Sequence, residues 1–302
     1  MSDASVPLPF TGERFTPECV REIWYEHIHR YAFASRFVHG KRVLDAACGE
    51  GYGTALLARV AEEAVGVDID AASVAHARER YAGVARARFE RSDAAALQFA
   101  DKSFDYVVSF ETIEHLAAQE ELVAGFARVL TDDGLLIISS PDKRTYSEVA
   151  GFRNEFHVRE LYREEFEALL RRHFRHVELY GQKLLFQSVL WSLADHDNRY
   201  EALTAAHGGQ AVAPGLDHAP LYFVAICSQR ELALAAPGIS LFGDREETVY
   251  AHYNHEIRKN MSAGERIVEL ERELAEARAR AAQAPSPQPT LKRWWKRNGT
   301  PK

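Results

Sequence analysis

Three glycines at alternate positions follow a short apolar run early in the chain. The segment 43–54, Val-Leu-Asp-Ala-Ala-Cys-Gly-Glu-Gly-Tyr-Gly-Thr, carries Gly49, Gly51 and Gly53. Glycine accepts positive φ angles and has no Cβ atom, so the backbone of such a loop can approach a ligand closely. The next apolar run ends at Asp68, where a nucleotide-binding βαβ unit places a carboxylate against ribose hydroxyls. Together these residues predict a site for an adenosine-containing cofactor.

The spacing and charge of the loop argue against a dinucleotide. The fingerprint G-x-G-x-x-G would need glycine at the position of Thr54. Asp45 and Glu50 put negative charge beside the loop, whereas a pyrophosphate favours a bare helix N-terminus. The chain has no Walker sequence and no tyrosine followed four residues later by lysine, as a short-chain dehydrogenase would require. We therefore expect a cationic or zwitterionic nucleoside.

The residues around this loop alternate between strand-like and helix-like patterns. We predict strands at 42–46, 64–68, 87–91, 106–110, 135–139, 177–180 and 221–228. We predict helices at 18–38, 54–59, 71–81, 119–129 and 160–173. Such alternation indicates a parallel sheet with helices on both faces. Ligands of such sheets bind beyond the carboxyl ends of the strands.

In five ordered segments the chain resembles the class I S-adenosylmethionine-dependent methyltransferases. These segments lie within about residues 40–228 and are 43–54, 65–70, 92–94, 104–116 and 134–141. They are similar to the first motif of the family, the acidic end of its second strand, its adenine-side motif, and its fourth and fifth strands. The resemblance implies an α/β fold with a seven-stranded Rossmann-like doubly wound sheet, six strands parallel and 221–228 antiparallel. It also implies S-adenosyl-L-methionine as the cofactor.

The resemblance places the methionine end of this cofactor on the glycine loop. Gly49 and Gly51 would admit the methionine part against the backbone, and Ala46 would lie at the end of the strand beneath it. Asp45 would lie close to the methionine ammonium group or to the loop that holds it. A second interpretation makes Asp45 a cap of the turn.

The resemblance also assigns the residues around the adenosine. Asp68 would accept hydrogen bonds from both ribose hydroxyls, and Ile69 would pack on the adenine ring. Asp93 and the N–H of Ala94 would bind the amino edge of adenine, although Ser-Asp is also an ordinary helix-capping pair. Phe110 would lie under the cofactor or belong to the core.

Methyl transfer from a sulfonium is an in-line displacement, which mainly needs the nucleophile held at attack distance. A hydroxyl acceptor also needs a base at neutral pH. His157, His115 and Glu111 are the candidates, because they follow the predicted fourth and fifth strands. A lone histidine is more often a hydrogen-bonded structural residue, which is the alternative for both histidines. We find no Asp, Glu and His cluster with metal spacing and therefore expect no metal.

Composition limits the compartment and the partners. With 37 basic and 44 acidic residues among 302, the net charge is −7, which argues against nucleic acid as a partner. Three widely spaced cysteines suggest neither disulfides nor a zinc site. The start of the chain lacks signal-peptide features, and no apolar stretch approaches the roughly 20 residues of a membrane span. We expect a cytoplasmic protein.

Four shorter segments are similar to a methyltransferase subgroup found with bacterial surface-polysaccharide enzymes. These segments are 12–17, 27–31, 154–161 and 181–182. The resemblance implies a sugar hydroxyl of a glycan or nucleotide-sugar as the acceptor. Two alternatives remain open. One is O-methylation of a small molecule such as a quinone, phenol or natural product, which a mostly aromatic acceptor pocket would favour. The other is a non-catalytic scaffold with a degenerate methyltransferase fold.

We divide the chain into a catalytic domain with additions at both ends. The predicted parts are an N-terminal arm and helix covering the ligands (1–39), a methyltransferase domain (40–228), a connector (229–254), a helical segment (255–284) and a Pro-rich, basic-aromatic tail (285–302). The domain carries an insertion at 184–218 that begins with an apolar run, 184–193, predicted to be helical. This insertion is interpreted either as a lid over the acceptor or as a surface or dimer contact.

The C-terminal segments suggest two further partners. Five small and apolar residues of the helical segment have the 3-4 spacing of a short coiled coil, which could pair two copies, and are Ile267, Leu270, Leu274, Ala277 and Ala281. The tail places Lys and Arg around two tryptophans, a composition that suits the inner face of an anionic membrane. A solvated tail without a partner is the alternative.

Overall fold

The structure is a computed structural model that describes residues 22–194, 200–206, 208, 210–231 and 236–283. The chain divides into two compact units between Glu246 and Glu247. The described helices are α1 (Glu22–Ser35), α2 (Tyr52–Leu57), α3 (Ala71–Arg80), α4 (Gln119–Val129), α5 (Arg163–Arg171) and α6 (Thr248–Gln283). The described strands are β1 (Arg42–Ala46), β2 (Glu63–Asp68), β3 (Ala87–Arg91), β4 (Phe104–Ser109), β5 (Leu130–Pro141), β6 (His176–Gln182), β7 (Leu203–Ala206), β8 (Ala211–Pro214) and β9 (Tyr222–Ser228).

Seven of these strands form one sheet in the order β3-β2-β1-β4-β5-β9-β6. The strands from β3 to β5 pair in parallel, whereas β9 runs antiparallel to both β5 and β6. The predicted Rossmann-like sheet of six parallel strands and one antiparallel strand is therefore confirmed. The carboxyl ends of β3, β2, β1 and β4 lie side by side at one edge, where sheets of this kind bind ligands.

The centre of the sheet is covered on both faces. Residues 135–138 of β5 are fully buried, and alternate side chains point to opposite sides. Leu136 packs in a cluster with Phe126 of α4, and Ile137 packs in a cluster with Tyr31 of α1. Because both faces are covered, β5 is a continuous apolar run rather than an alternating one. The covered sheet gives the loops at its edge a fixed base.

The insertion between β6 and β9 differs from the prediction. Residues 184–193 have no regular secondary structure, so the predicted helix is wrong. Leu190, Trp191 and Leu193 are 99%, 65% and 87% exposed. A short helix gains most of its stability by packing an apolar face, and the described residues do not cover one here. The later part of the insertion forms an antiparallel hairpin of β7 and β8, which the Gly/Pro-rich pattern did not predict.

The region after β9 also differs. Helix α6 begins at Thr248, several residues before the predicted start at 255. Part of the predicted connector belongs to the first unit and packs on α1. There the Tyr25 hydroxyl donates to Asp244 Oδ2 at 3.0 Å, and Phe242 stacks on His29 with ring centres 5.4 Å apart. Residues 236–246 of the predicted connector are therefore part of the first unit.

The second unit is described only through α6. The predicted seam residues Ile267, Leu270 and Leu274 are 56%, 46% and 50% exposed. No described helix combines the length and the apolar character needed to cross a membrane. The arm at 1–21 and the tail at 285–302 lie outside the described residues.

Candidate functional site

The glycine loop turns sharply from β1 into α2. Gly49 and Gly51 have φ angles of 54° and 95°, in the left-handed region that favours glycine. A Cβ atom on Gly51 would also meet Ala77 at 2.7 Å and Phe89 at 2.8 Å. Both residues therefore favour glycine for their backbone conformation, and Gly51 also for its close packing on α3 and β3.

Asp45 lies beneath this loop and is fully buried. Its carboxylate accepts hydrogen bonds from Thr54 Oγ1 at 2.6 Å and from the Tyr31 hydroxyl at 3.0 Å. Burial raises the pKa of Asp45 to about 6, and the two hydrogen bonds oppose that rise. Asp45 was predicted to lie near the methionine ammonium group or near the loop that holds it, and these contacts favour the second position. Through Thr54 and Tyr31, Asp45 connects β1 to α2 and to α1.

Glu50 does not face a ligand, contrary to the prediction. Its buried carboxylate accepts a hydrogen bond from the Tyr81 hydroxyl at 2.8 Å and lies 3.1 Å from both Arg80 Nε and His76 Nε2. Because Arg80 offsets its charge inside the protein, Glu50 cannot oppose a pyrophosphate at the loop. The electrostatic argument against a dinucleotide therefore does not hold for Glu50. The glycine spacing, Asp45 and the lack of other nucleotide-binding motifs in the sequence still support it.

Asp68 joins the end of β2 to the glycine loop. The Gly49 N–H donates to Asp68 Oδ2 at 2.9 Å, and the Asp70 N–H donates to Oδ1 at the same distance. Each carboxylate oxygen has a second lone pair with which it can accept a further donor such as a ribose hydroxyl. Ile69, the next residue, is 62% exposed, which leaves its side chain available as an apolar surface beside that carboxylate.

The remaining predicted cofactor residues follow the neighbouring strands. Asp93, after β3, is exposed and accepts a hydrogen bond from the Ala95 N–H at 2.8 Å, and Ala94 is buried. Phe110, directly after β4, is buried with its ring centre 5.0 Å from that of Tyr31. The strand order puts Asp93, Asp68, Gly49 and Phe110 in a row, which we call the cofactor edge.

The three predicted catalytic residues lie beyond the ends of β4 and β5. Glu111 has a φ of 49°, and its carboxylate accepts a hydrogen bond from Ser139 Oγ at 2.6 Å. His115 Nδ1 lies 3.1 Å from the carbonyl oxygen of Phe156. The ring centres of His115 and His157 are 5.0 Å apart. The structure therefore brings the two histidines together from distant parts of the sequence.

Both ring nitrogens of His157 have close partners. Nδ1 lies 2.6 Å from Glu160 Oε1, and Nε2 lies 3.0 Å from the Asn154 side-chain amide. A neutral imidazole satisfies both contacts by donating from Nδ1 and accepting at Nε2. Because the Nε2 lone pair is engaged, His157 in this arrangement holds the 154–160 loop rather than presenting a free base.

Glu114 completes a cluster that the sequence spacing did not predict. It is buried beside His115 and His157, and the three residues offer ligand atoms within 4.8 Å of one another. Burial raises the pKa of Glu114, as does the negative charge of Glu111. Asn154 already occupies one coordinating nitrogen of His157, so the contacts present form a hydrogen-bonded network at the edge of the sheet.

Helix α1 connects the cofactor edge to a cavity. On one side, His27 Nδ1 lies 3.2 Å from the hydroxyl of Tyr52, which begins α2. On the other side, α1 lines a cavity of about 680 Å³, together with the end of β6, residues 216–220 and residues 238–242. We call this space the α1 cavity. Its polar lining includes Glu26, Arg30 and Gln182.

Arg30 is the most deeply buried cation of this wall, with a side chain that is 1% exposed. Its Nη1 donates to Gln182 Oε1 at 2.8 Å and lies 3.8 Å from Glu111 Oε1, and its guanidinium carbon lies 4.9 Å from the centre of the Tyr222 ring. Its Nε and Nη2 groups are buried and have no hydrogen-bond partner among the described residues. Buried donors without partners are costly, so these groups suit an anionic ligand.

Glu26 lies one helical turn before Arg30 and is 7% exposed. Burial raises its pKa to about 7, and the charge of Glu111 adds to that rise. Arg30 and hydrogen bonds from Tyr222 and from the Leu184 N–H act in the opposite direction. Sequence reasoning missed Glu26 and Arg30. The available signal in the sequence was the segment 26–30, in which four of five residues are ionisable, within a helix rich in aromatic residues.

Comparisons with known proteins agree with this geometry. Residues 44–138 match the family described as "Methyltransferase domain". A protein of Mycolicibacterium smegmatis named "Probable S-adenosylmethionine-dependent methyltransferase" is 40% identical over 167 residues, which are 54% of this chain and 63% of that protein. A ubiquinone biosynthesis O-methyltransferase of Azorhizobium caulinodans is 30% identical over 132 residues, which are 42% of this chain and 51% of that enzyme. The chain thus spans less than two thirds of either relative.

A solved structure supports the fold. The YcgJ protein of Bacillus subtilis superposes with a TM-score of 0.50 at 20% identity, covering 68% of this chain and all of the other (100%). At this identity the likeness shows the fold alone. In its motifs and its sequence relatives the chain is similar to S-adenosylmethionine-dependent methyltransferases, which supports S-adenosylmethionine as its cofactor.

Proposed function

We propose that this chain is an S-adenosylmethionine-dependent methyltransferase that methylates a hydroxyl oxygen held in the α1 cavity. The observation that carries the proposal is the position of Arg30 between the cofactor edge and this cavity. Arg30 lines the cavity and lies 3.8 Å from Glu111, which directly follows Phe110 of the cofactor edge. A methyl donor at the edge and an acceptor in the cavity would meet beside Glu111.

The cofactor would lie along the cofactor edge with its adenosine over β2 and β3. Asp68 would accept hydrogen bonds from the ribose hydroxyls while it keeps the Gly49 N–H. Ile69 would cover adenine, and Asp93 with Ala94 would bind its polar edge. The glycine backbone would lie against the methionine part. Because the N–H groups of Gly49 and Gly51 already donate to Asp68 and to the Cys48 carbonyl oxygen, the methionine carboxylate needs a cation elsewhere.

Arg30 is the cation that we assign to this carboxylate. Its two unpartnered N–H groups are available for a charge-assisted hydrogen bond. The positive charge is also close to Tyr52 at the start of α2 and to Glu111 at the end of β4, so it lies between the glycine loop and the cavity. Helix α1 would thereby contribute to cofactor binding as well as to the acceptor wall.

We propose a sugar hydroxyl, on a bacterial glycan or nucleotide-sugar, as the acceptor. A sugar presents several hydroxyls, which need hydrogen-bonding side chains around them. The α1 cavity supplies Glu26, Asp142, Gln182 and Lys183. Its volume of about 680 Å³ is within the range of small-ligand pockets. The resemblance of 154–161 and 181–182 to polysaccharide-associated methyltransferases points the same way.

A quinone or phenol is the second candidate. Aromatic side chains also line the α1 cavity, among them Tyr25, Phe33, Tyr180 and Phe242. The ubiquinone biosynthesis O-methyltransferase of Azorhizobium caulinodans is a relative at 30% identity. A flat aromatic acceptor would use these rings and leave most of the charged lining unused. A non-catalytic scaffold is disfavoured, because the glycine loop and Asp68 retain the contacts that a cofactor needs.

Transfer of labelled methyl groups distinguishes these acceptors. Purified chain would be incubated with methyl-labelled S-adenosylmethionine and a panel of methyl glycosides, nucleotide-sugars, lipid-linked glycans and phenols. Incorporation into the sugar members supports the first acceptor class, and incorporation into phenols alone replaces it with the second. A chain that binds no S-adenosylhomocysteine contradicts the methyltransferase function itself.

The C-terminal additions give a further proposal about partners. We propose that α6 pairs two copies through Ile267, Leu270 and Leu274, whose side chains are about half exposed. We also propose that the basic-aromatic tail brings the cytoplasmic enzyme to the inner face of the membrane. Sedimentation of the full chain and of Leu270→Glu tests the pairing, and flotation with anionic vesicles tests the membrane contact.

A further inference from the structure

We propose that Glu26 is the base that accepts the proton of the acceptor hydroxyl. The proposal rests on the proposed function, because it needs a hydroxyl in the α1 cavity and a methyl donor at the cofactor edge. It differs from the sequence prediction, which assigned this task to His157, His115 or Glu111. The new assignment comes from the position of Glu26 on the cavity wall.

Glu26 lies on the wall of the α1 cavity, as does Arg30. It lines the α1 cavity and is 7% exposed, so a group that binds there can reach it while bulk water is largely excluded. The charges of Arg30 and Glu111 both act on its carboxylate, as do the neighbouring polar groups of Tyr222 and Leu184. Glu26 therefore lies on the cavity wall among polar and charged groups.

The surroundings of Glu26 also set its proton affinity. Burial and the negative charge of Glu111 raise its pKa to about 7, while Arg30, Tyr222 and Leu184 limit the rise. The imidazole of His29, on the same wall, stays neutral because burial lowers its pKa to about 4. A general base works best when its pKa lies near the working pH, and raised glutamates are a known way to reach it. Glu26 meets that condition.

The sequence-predicted bases are less available. Both nitrogens of His157 are engaged by Glu160 and Asn154. The carboxylate of Glu111 accepts the Ser139 hydroxyl at 2.6 Å and lies 3.8 Å from Arg30. Glu111 is also absent from the described lining of the α1 cavity, whereas Glu26 is part of it.

The transfer step balances with these groups alone. The acceptor O–H proton passes to a Glu26 carboxylate oxygen as the acceptor oxygen attacks the methyl carbon. The electron pair of the S–CH₃ bond goes to sulfur, which changes from a sulfonium to the neutral thioether of S-adenosylhomocysteine. The protonated Glu26 then releases its proton to water after the methylated product leaves the cavity. No oxidant, reductant or metal is required.

The test compares Glu26→Gln with wild type and with Glu167→Gln, an exposed-pair control on α5. With an acceptor from the methyl-transfer panel, we expect Glu26→Gln to lower kcat at least about a hundredfold. The affinity for S-adenosylhomocysteine should stay within threefold, which shows that the variant is folded. The ascending limb of the wild-type rate near pH 7 should disappear. A kcat within threefold of wild type, or an unchanged limb, would overturn the proposal.

A second measurement needs no acceptor. A carboxyl with a pKa raised from 4.5 to about 7 adds stability that is full below pH 4.5 and is lost as pH rises through 7. Urea unfolding from pH 4.5 to 8.5 should therefore show a steeper decline for wild type and Glu167→Gln than for Glu26→Gln. Parallel curves would contradict the assignment, even if no panel compound is methylated. Failure of wild type to bind S-adenosylhomocysteine would instead remove the proposed function and leave the unfolding result intact.

Discussion

The cofactor edge and the α1 cavity depend on contacts of very different range along the chain. At the edge, the Gly49 N–H reaches Asp68 over 19 residues, and Thr54 reaches Asp45 over 9. On the wall of the cavity, Arg30 reaches Gln182 over 152 residues, and Gln182 in turn donates to the Glu26 carbonyl oxygen over 156. The edge is a local βαβ construction, whereas the cavity exists only once the whole unit has folded.

The two regions also differ in how well their polar groups are satisfied. Asp45 and Glu50 are buried but fully engaged by neighbouring donors. In the α1 cavity, Arg30 keeps two buried N–H groups without a described partner, and Glu26 has its pKa raised to about 7. Unsatisfied groups are costly for folding and useful for a ligand. The difference indicates that the cofactor edge is ordered before it binds a ligand, whereas the buried polar groups of the α1 cavity gain their partners from a ligand.

The largest effect should come from Asp68→Ala. This variant loses the ribose contacts and also the acceptor for the Gly49 N–H. We expect at least about a hundredfold weaker binding of S-adenosylhomocysteine by calorimetry, since hydrogen bonds to a charged group contribute about 1.5–3 kcal/mol each. Asp101→Ala, at an exposed ion pair, is the matched control and should bind as wild type does. Wild-type affinity in Asp68→Ala would remove the ribose assignment.

The next effect should come from Arg30→Met, which keeps the apolar stem and removes the charge. We expect about tenfold weaker binding of S-adenosylhomocysteine, because one charge-assisted contact to the methionine carboxylate is lost. The control is Arg59→Met at an exposed position. If the affinity for S-adenosylhomocysteine is unchanged while the acceptor KM rises, Arg30 binds the acceptor rather than the cofactor. Arg30 would then be assigned to the α1 cavity alone.

A smaller effect is expected for His157→Ala. Because its two nitrogens hold Glu160 and Asn154, the substitution should loosen the 154–160 loop and lower kcat by less than about tenfold. A catalytic base should cost at least about a hundredfold. Steady-state kinetics with the panel acceptor decides between these values, and a hundredfold loss would return His157 to the catalytic role predicted from sequence.

The smallest effect should come from Leu190→Gln in the insertion. Leu190 is 99% exposed, so the free energy of unfolding should change by less than about 0.5 kcal/mol, and cofactor affinity should not change. Urea unfolding and calorimetry check both values. A large loss of stability would show that Leu190 is buried against another part of the protein, and would contradict the exposed position of the 184–193 segment.

Sequence reasoning succeeded where short-range rules apply. The glycine loop, the acid at the end of β2 and the alternation of strands and helices are local signals, and they predicted the parallel part of the sheet. The antiparallel strand was implied by the methyltransferase resemblance. Asp45 was predicted to lie near the loop, and its contacts with Thr54 and Tyr31 were not predicted. The methyltransferase resemblance added the cofactor.

The errors have physical reasons. Glu50 was expected to face a ligand because it lies between two glycines of the loop, but its carboxylate pairs with Arg80 and Tyr81 at the end of α3. The 184–193 run has helical composition, yet no described surface covers it. Glu26 and Arg30 acquire their properties from Gln182 and Tyr222, more than a hundred residues away, which no local pattern reports.

The central claim is that the cofactor edge binds a sulfur nucleoside. Calorimetric titration of the wild-type chain with S-adenosylhomocysteine, repeated in the presence of excess NADH, tests it most directly. We predict one S-adenosylhomocysteine bound per chain, with an affinity that NADH does not alter. Absence of binding, or displacement by NADH, would contradict the account.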